Sequence, residues 1–268
     1  MPYRYKAFYY PDDEQYDSPY RAGLNFEEIY FSSADGTRLS GWFIHAKDTD
    51  GPREAKGTVI HMHGNAQNMT AHWQLAEWVL LRGYNLFTFD YRGFGMSEGV
   101  PEPKGVFEDA VAALDYVRSR TDIDVEKLFV FGQSLGGMLA IASVSASPAG
   151  IRAVLAEAPV YSYSMSVKDK MPGMTLPLDD TWCAGGRVAR LAPVPLLLLH
   201  SPDDSVVRYT HSVALLEEAG HPKQLVTLSG GDHIDAMTKR HGSRYRDLMM
   251  DFFEEAMQDH GKGETTGP

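Results

Sequence analysis

From Thr58 onward the chain repeats one pattern, a short apolar run followed by a longer stretch with helical spacing. The apolar runs are Thr58–Met62, Asn85–Phe89, Leu128–Phe131, Ala153–Glu157, Leu196–His200 and Lys223–Leu228. Each is too short for a buried helix and reads as a strand. Between and after them the spacing predicts helices near 70–82, 105–120, 136–147, 208–219 and 241–258. Strands alternating with helices imply a parallel sheet with crossover connections. Ahead of this region, Phe26 and Ile29-Tyr30-Phe31, the turn Asp35-Gly36, and Leu39 to Ile44 predict an antiparallel hairpin. Residues 1–23, rich in Tyr, Asp and Pro, lack either period and read as an extended arm. Residues 261–268 are polar and Gly-rich, a tail expected to fray. No repeat or linker divides the 268 residues, so a single domain is expected, with residues 159–193 the main insertion available for a lid.

Composition narrows the function classes. With 25 Lys and Arg against 36 Asp and Glu, the formal charge is −11, which argues against a nucleic-acid partner. The only cysteine, Cys183, excludes an intrachain disulfide and fits a reducing compartment, so a cytoplasmic protein is expected. No apolar stretch reaches the roughly 18–20 residues of a membrane span.

The chemistry concentrates in Gly132-Gln133-Ser134-Leu135-Gly136-Gly137, between the run ending at Phe131 and the helix opening Met138-Leu139-Ala140. This is G-x-S-x-G in the strand–turn–helix setting of a nucleophile elbow. Glycines on either side let a serine sit in a tight turn, and the helix N-terminus brings an N–H and partial positive charge beside it. A serine nucleophile needs a base and a group to orient the base. His233 follows the last strand in Ser229-Gly230-Gly231-Asp232-His233, where the glycines permit a sharp turn. Two adjacent carboxylates, Asp203 and Asp204, follow Leu196–His200. Cys183 has no elbow and reads as a free thiol. His61 and His63 alternate along a strand, but no Cys or third His with ligand spacing follows, so no metal site and no cofactor are expected. His63 reads as a hydrogen-bonding support for its loop and His61 as a packed histidine.

Together with His63-Gly64-Asn65 and Tyr91-Arg92-Gly93-Phe94-Gly95-Met96-Ser97-Glu98-Gly99, these residues resemble the α/β-hydrolase superfamily from about residue 24 to residue 258. The resemblance implies an α/β fold with a mostly parallel sheet, the antiparallel hairpin at its start, helices on both faces and a short lid. It implies the chain order Ser134, acid, His233. The segment from His200 is similar to the family's H-G-x-x-D-x-x-V pattern, with Ser201 in place of the glycine, and that alignment selects Asp204. Glu157, at a strand end where some members carry the acid, is a third candidate; its other reading is a polar strand-end residue. The oxyanion donors implied are the backbone N–H groups of Asn65 and Leu135. Asp90, Arg92 and Ser97 fall in a loop with a structural role in the family.

The combination looks like the small, cap-poor branch, whose members are labelled serine aminopeptidase-like or prolyl-oligopeptidase-like and include depalmitoylases. The expected reaction is cleavage of a small-molecule carboxylic ester or thioester through an acyl-enzyme. Small-peptide hydrolysis and a non-catalytic binding role are the alternatives. In the lid segment Tyr161, Tyr163, Met165, Met171, Met174, Leu176 and Trp182 offer either an apolar acyl pocket or crossover packing. No cluster of Arg or Lys near the triad loops points to a strongly anionic substrate. Oligomeric state is not legible in the sequence.

Overall fold

The computed structural model describes residues 3–263. Its strands are β1 (Tyr10–Pro11), β2 (Phe26–Ser32), β3 (Arg38–Ile44), β4 (Gly57–Met62), β5 (Ala66–Gln67), β6 (Tyr84–Phe89), β7 (Leu128–Gln133), β8 (Ile151–Glu157), β9 (Leu196–His200) and β10 (Lys223–Thr227). The helices are α1 (Met69–His72), α2 (Pro103–Ser119), α3 (Leu135–Ala146), α4 (Tyr163–Lys170), α5 (Thr210–Glu218) and α6 (Arg244–Gly263).

Eight strands form one sheet in the order β10-β9-β8-β7-β4-β6-β3-β2. Pairing is parallel from β10 to β6, then antiparallel from β6 through β3 to β2. The hairpin is in register from Phe26 opposite Ile44 to Ser32 opposite Arg38. Because side chains alternate along a strand, the buried central strands feed two cores. Ile60, Val130, Val154 and Leu198 point to one face, packed with residues of α2 and α3. Val59, Phe129, Leu155 and Leu197 point to the other, against Trp73, Val79, Met249 and Phe253. β4, β6 and β7 are buried at every position, as strands covered on both faces are, and their few polar side chains (Thr58, His61, Asn85, Thr88 and Gln133) are hydrogen-bonded.

Three expectations need correction. The helix expected at 70–82 is one turn of α-helix, α1, capped by Asn68, followed by 3-10 turns at Trp73–Leu75 and Glu77–Arg82. Trp73, Ala76 and Val79, all buried, are spaced by three, the repeat of the 3-10 form. The N-terminal arm is not extended throughout: Tyr3–Phe8 is a 3-10 turn, and β1 pairs in parallel with β5. Of the tail, residues 261–263 belong to α6, and 264–268 lie outside the described residues. Among the described residues no helix is long and apolar enough to cross a membrane.

The loop after β6 is scaffold, as expected. Arg92, in that loop, is buried against Asp109 and reaches Asp35 and Ser33, while the Ser97 hydroxyl donates to the Asp90 carbonyl. The carboxyl ends of β4, β7, β8, β9 and β10 all open toward one edge of the sheet. In open parallel sheets that edge is where sites form.

Candidate active site

Ser134 joins β7 to α3 with φ 57° and ψ −116°, a conformation a non-glycine residue adopts only when its surroundings hold it there. The holding bonds are Ser134 N–H to the Glu157 carbonyl at 2.9 Å, and the Ser134 carbonyl accepting from Met138 at 3.2 Å. The flanking glycines are required by crowding. A Cβ at Gly132 would lie 2.2 Å from the Gly136 carbonyl oxygen, and one at Gly136 would lie 1.9 Å from that of Met62. At the first turn of α3, and at Asn65 after β4, the backbone N–H groups of Leu135 and Asn65 have no protein acceptor among the described residues.

His233 sits on the loop after β10, which turns through Gly230 (φ 76°) and Gly231 (φ 100°). Its Nδ1 is 2.8 Å from Asp204 Oδ2, and the pair is shielded, with 15% of the His233 side chain and none of the Asp204 side chain exposed. The other oxygen of Asp204 accepts from the N–H groups of Val206 and Val207, each at 2.8 Å. His200 Nε2 lies 3.2 Å from Oδ2. Burial works to raise the Asp204 carboxyl, but the bonds and charge of its histidine and backbone neighbours outweigh it and hold the group well below the usual carboxylate range. Asp203 is exposed and does not reach the ring. Among the described residues Ser134 and His233 are not hydrogen-bonded to each other; such bonds commonly tighten only when substrate binds.

Several supporting residues were not legible beforehand. Ser201 Oγ donates to the Gly231 carbonyl at 2.6 Å, so the serine that departs from the family's glycine ties the acid loop to the histidine loop. Asp232 does the same, accepting from the Ser205 backbone at 2.8 Å and from the His233 N–H at 2.8 Å. Glu157 is not on the ring. One of its oxygens accepts from Ala236 N–H at 2.7 Å and the other from Gln133 Nε2 at 2.8 Å, while Gln133 Oε1 is 3.1 Å from His61 Nε2. A buried chain thus runs from β4 through β7 and β8 to the histidine loop. Burial raises the Glu157 carboxyl against the pull of these hydrogen bonds, and burial pushes His61 down to about 3, leaving it neutral. His63 Nδ1 bonds the Gly64 carbonyl at 2.8 Å, a support of its own loop as expected.

Ser134, Asn65 and Leu135 share a cavity of about 100 Å3 whose walls are Ala7, Phe8, Val160, Tyr163, Val167, Met171, Val206 and Val207, with Ser166 and Lys170 also lining it. Of the lid residues named from sequence, Tyr163 and Met171 line this cavity. Trp182 instead packs on Phe107, and Tyr161 bonds Glu218. A larger hollow of about 390 Å3, under residues 13–21 and beside the hairpin, is lined by none of the candidate residues Ser134, His233, Asp204, Asn65 and Leu135.

The family model described as serine aminopeptidase, S33, matches residues 53–182. The uncharacterized protein YfhR of Salmonella typhimurium is 43% identical over 262 residues, covering 94% of this chain and 88% of that one. The α/β-hydrolase domain-containing protein WAV2 of Arabidopsis thaliana is 33% identical over 187 residues, covering 69% of this chain and 57% of WAV2. The chain is an α/β-hydrolase. Its fold is also that of the Pyrococcus furiosus esterase Pf2001, with a TM-score of 0.73 at 19% identity over 92% of this chain and 96% of the esterase. The elbow, the loop after β4 and the loops after β9 and β10, which carry the family-like residues, here converge on one edge of the sheet.

Proposed function

We propose that this α/β-hydrolase cleaves a carboxylic ester or thioester with a short-to-medium acyl group, through an acyl-enzyme on Ser134. The observation that carries the reading is the shielded His233–Asp204 bond on the same sheet edge as a strained serine flanked by two unbonded backbone N–H groups. In this reading Ser134 Oγ attacks the substrate carbonyl carbon as His233 Nε2 takes its proton. Asp204 holds the Nδ1–H tautomer and stabilises the imidazolium. The oxyanion is met by the N–H groups of Asn65 and Leu135, the latter at the N-terminus of α3. Collapse expels the alcohol or thiol, which receives the proton from His233. Water, deprotonated by the same imidazole, then releases the acid.

The cavity supports the substrate class. Its walls are mainly aliphatic and aromatic, and about 100 Å3 is small beside the roughly 300–1,000 Å3 of sites for drug-sized ligands. The family description favours a second reading, removal of an N-terminal residue from small peptides. That reaction needs an anionic group for the free amine, and the charged side chain lining the cavity is Lys170, a cation. A panel of p-nitrophenyl esters from acetate to decanoate, run beside aminoacyl anilides, separates the two. The proposal expects ester turnover that falls at least about tenfold from butyrate to decanoate, with no anilide cleavage. Anilide cleavage matching ester turnover would replace it with the peptidase reading.

A further inference from the structure

The N-terminal arm grips the loop that carries Asn65. Tyr10 N–H donates to the Asn65 carbonyl at 2.8 Å, Asn65 Nδ2 donates to the Phe8 carbonyl at 3.0 Å, and Tyr10–Pro11 pairs with Ala66–Gln67. Asn65 is therefore fixed through its carbonyl and its side chain while its N–H stays free. Crowding does not supply this order. A Cβ at Gly64 would meet nothing nearer than 3.6 Å, so the turn at Gly64 is not pinned by crowding as the elbow is at Gly132 and Gly136. Hydrogen bonds hold the loop instead: His63 Nδ1 on the Gly64 carbonyl, Tyr91 Oη on the His63 carbonyl, His72 Nε2 on the Ala66 carbonyl, and the arm on both the carbonyl and the side chain of Asn65.

The same few residues also close the cavity. Ala7 and Phe8 line it, and the Phe8 ring stands edge-on to Tyr163 of α4 at 4.8 Å between centroids. The next residue, Tyr9, is buried and its hydroxyl lies 2.5 Å from that of Tyr163, so the arm is fastened to the lid as well as to the loop.

We propose that residues 8–10 are a positioning element of the active site, holding the Asn65 N–H toward the oxyanion, and that the Phe8 ring limits acyl length. This rests on the serine-hydrolase reading above. An oxyanion donor is worth roughly 100- to 1,000-fold in kcat when removed outright. A donor left in place but loosened loses part of that.

The test compares Asn65→Ala, which keeps the N–H and loses the bond to Phe8, with Tyr10→Pro, which removes the donor to the Asn65 carbonyl. Each is expected to lower kcat for p-nitrophenyl butyrate about 10- to 100-fold, with KM within about twofold and native melting. The double variant is expected to lose far less than the product of the two, since both act through one loop. Phe8→Ala is expected to raise the hexanoate-to-butyrate ratio of kcat/KM at least about fivefold. Wild-type kcat in folded Asn65→Ala, or a loss carried by KM, overturns the positioning role, and Asn65→Ala decides alone if Tyr10→Pro does not fold. An unchanged chain-length ratio overturns the role of Phe8. Each result is read beside fluorophosphonate labelling of the wild type. Labelling at Ser134 with unaffected arm variants rejects this inference alone, whereas no labelling at Ser134 rejects the reading beneath it.

Discussion

Replacing Asp204 with Asn keeps the shape of the side chain and changes what it can accept. The wild-type carboxylate receives two backbone N–H donors on Oδ1, and on Oδ2 it faces His233 Nδ1 at 2.8 Å and His200 Nε2 at 3.2 Å. An Asn side chain has one acceptor oxygen, and that oxygen satisfies most donors where Oδ1 stands. Its NH2 then faces His233 Nδ1, which keeps a bond only by giving up its proton and accepting. The ring proton moves to Nε2, the atom assigned to take the proton from Ser134. The expected loss in kcat is about 1,000- to 10,000-fold, or about 4–5.5 kcal/mol of barrier, with KM little changed. His200 Nε2 keeps the Val207 carbonyl, 2.9 Å away, as its acceptor, so no buried donor is orphaned and the melt is expected to change little. The assay is steady-state hydrolysis of p-nitrophenyl butyrate near neutral pH with a parallel thermal melt, and Asp203→Asn is the control. Exposed Asp203 is expected to matter by no more than about twofold. If Asp203→Asn loses as much as Asp204→Asn, or if Asp204→Asn stays within tenfold of wild type, the assignment of the acid is wrong.

Glu157→Gln puts an NH2 against either the Ala236 N–H or the Gln133 side-chain amide, both of which now donate to the carboxylate. The expected cost is about 1–3 kcal/mol in urea unfolding, with a fall in kcat through the displaced histidine loop, and unfolding identical to wild type would refute it. The buried histidines set a pH dependence of stability. Burial lowers His61 to about 3 and His72 to about 4, while the unfolded chain titrates them near 6.5. Between about pH 6.5 and 4 the unfolded state therefore binds more protons than the native state, and stability falls as pH falls, by up to about 1.4 kcal/mol per pH unit for each ring. The depressed Asp204 carboxyl acts in the same direction at lower pH, its contribution being lost as pH falls through its folded value. Urea melts at stepped pH are expected to show this slope, reduced by about one proton in His61→Gln, and an unchanged slope in that variant would refute the assignment.

The parallel strands and the elbow were legible because both depend on local pattern. An all-apolar run such as Leu128–Phe131 is what a strand covered on both faces requires, and Gly132 and Gly136 answer to contacts of about 2 Å that no other residue survives. The choice between Asp203 and Asp204 came from a family pattern, and in the fold it is Asp204 that turns inward to the ring. What stayed hidden depends on partners far apart in sequence. Nothing around Phe8 announces that its carbonyl meets Asn65, 57 residues away, or that its ring faces a cavity. Glu157 looked like a polar strand end because its acceptors' partners, Gln133 and Ala236, lie on other elements. The 3-10 stretch after His72 was missed because spacings of three and of 3.6 are nearly indistinguishable over two turns.

Covalent labelling asks whether Ser134 is the nucleophile. Wild-type protein and Ser134→Ala are treated with a fluorophosphonate, weighed intact and mapped by peptide mass. One equivalent of adduct on Ser134 is expected, with loss of ester hydrolysis in step with labelling and no adduct in Ser134→Ala. An adduct on another residue, or hydrolysis that persists in Ser134→Ala, would contradict it.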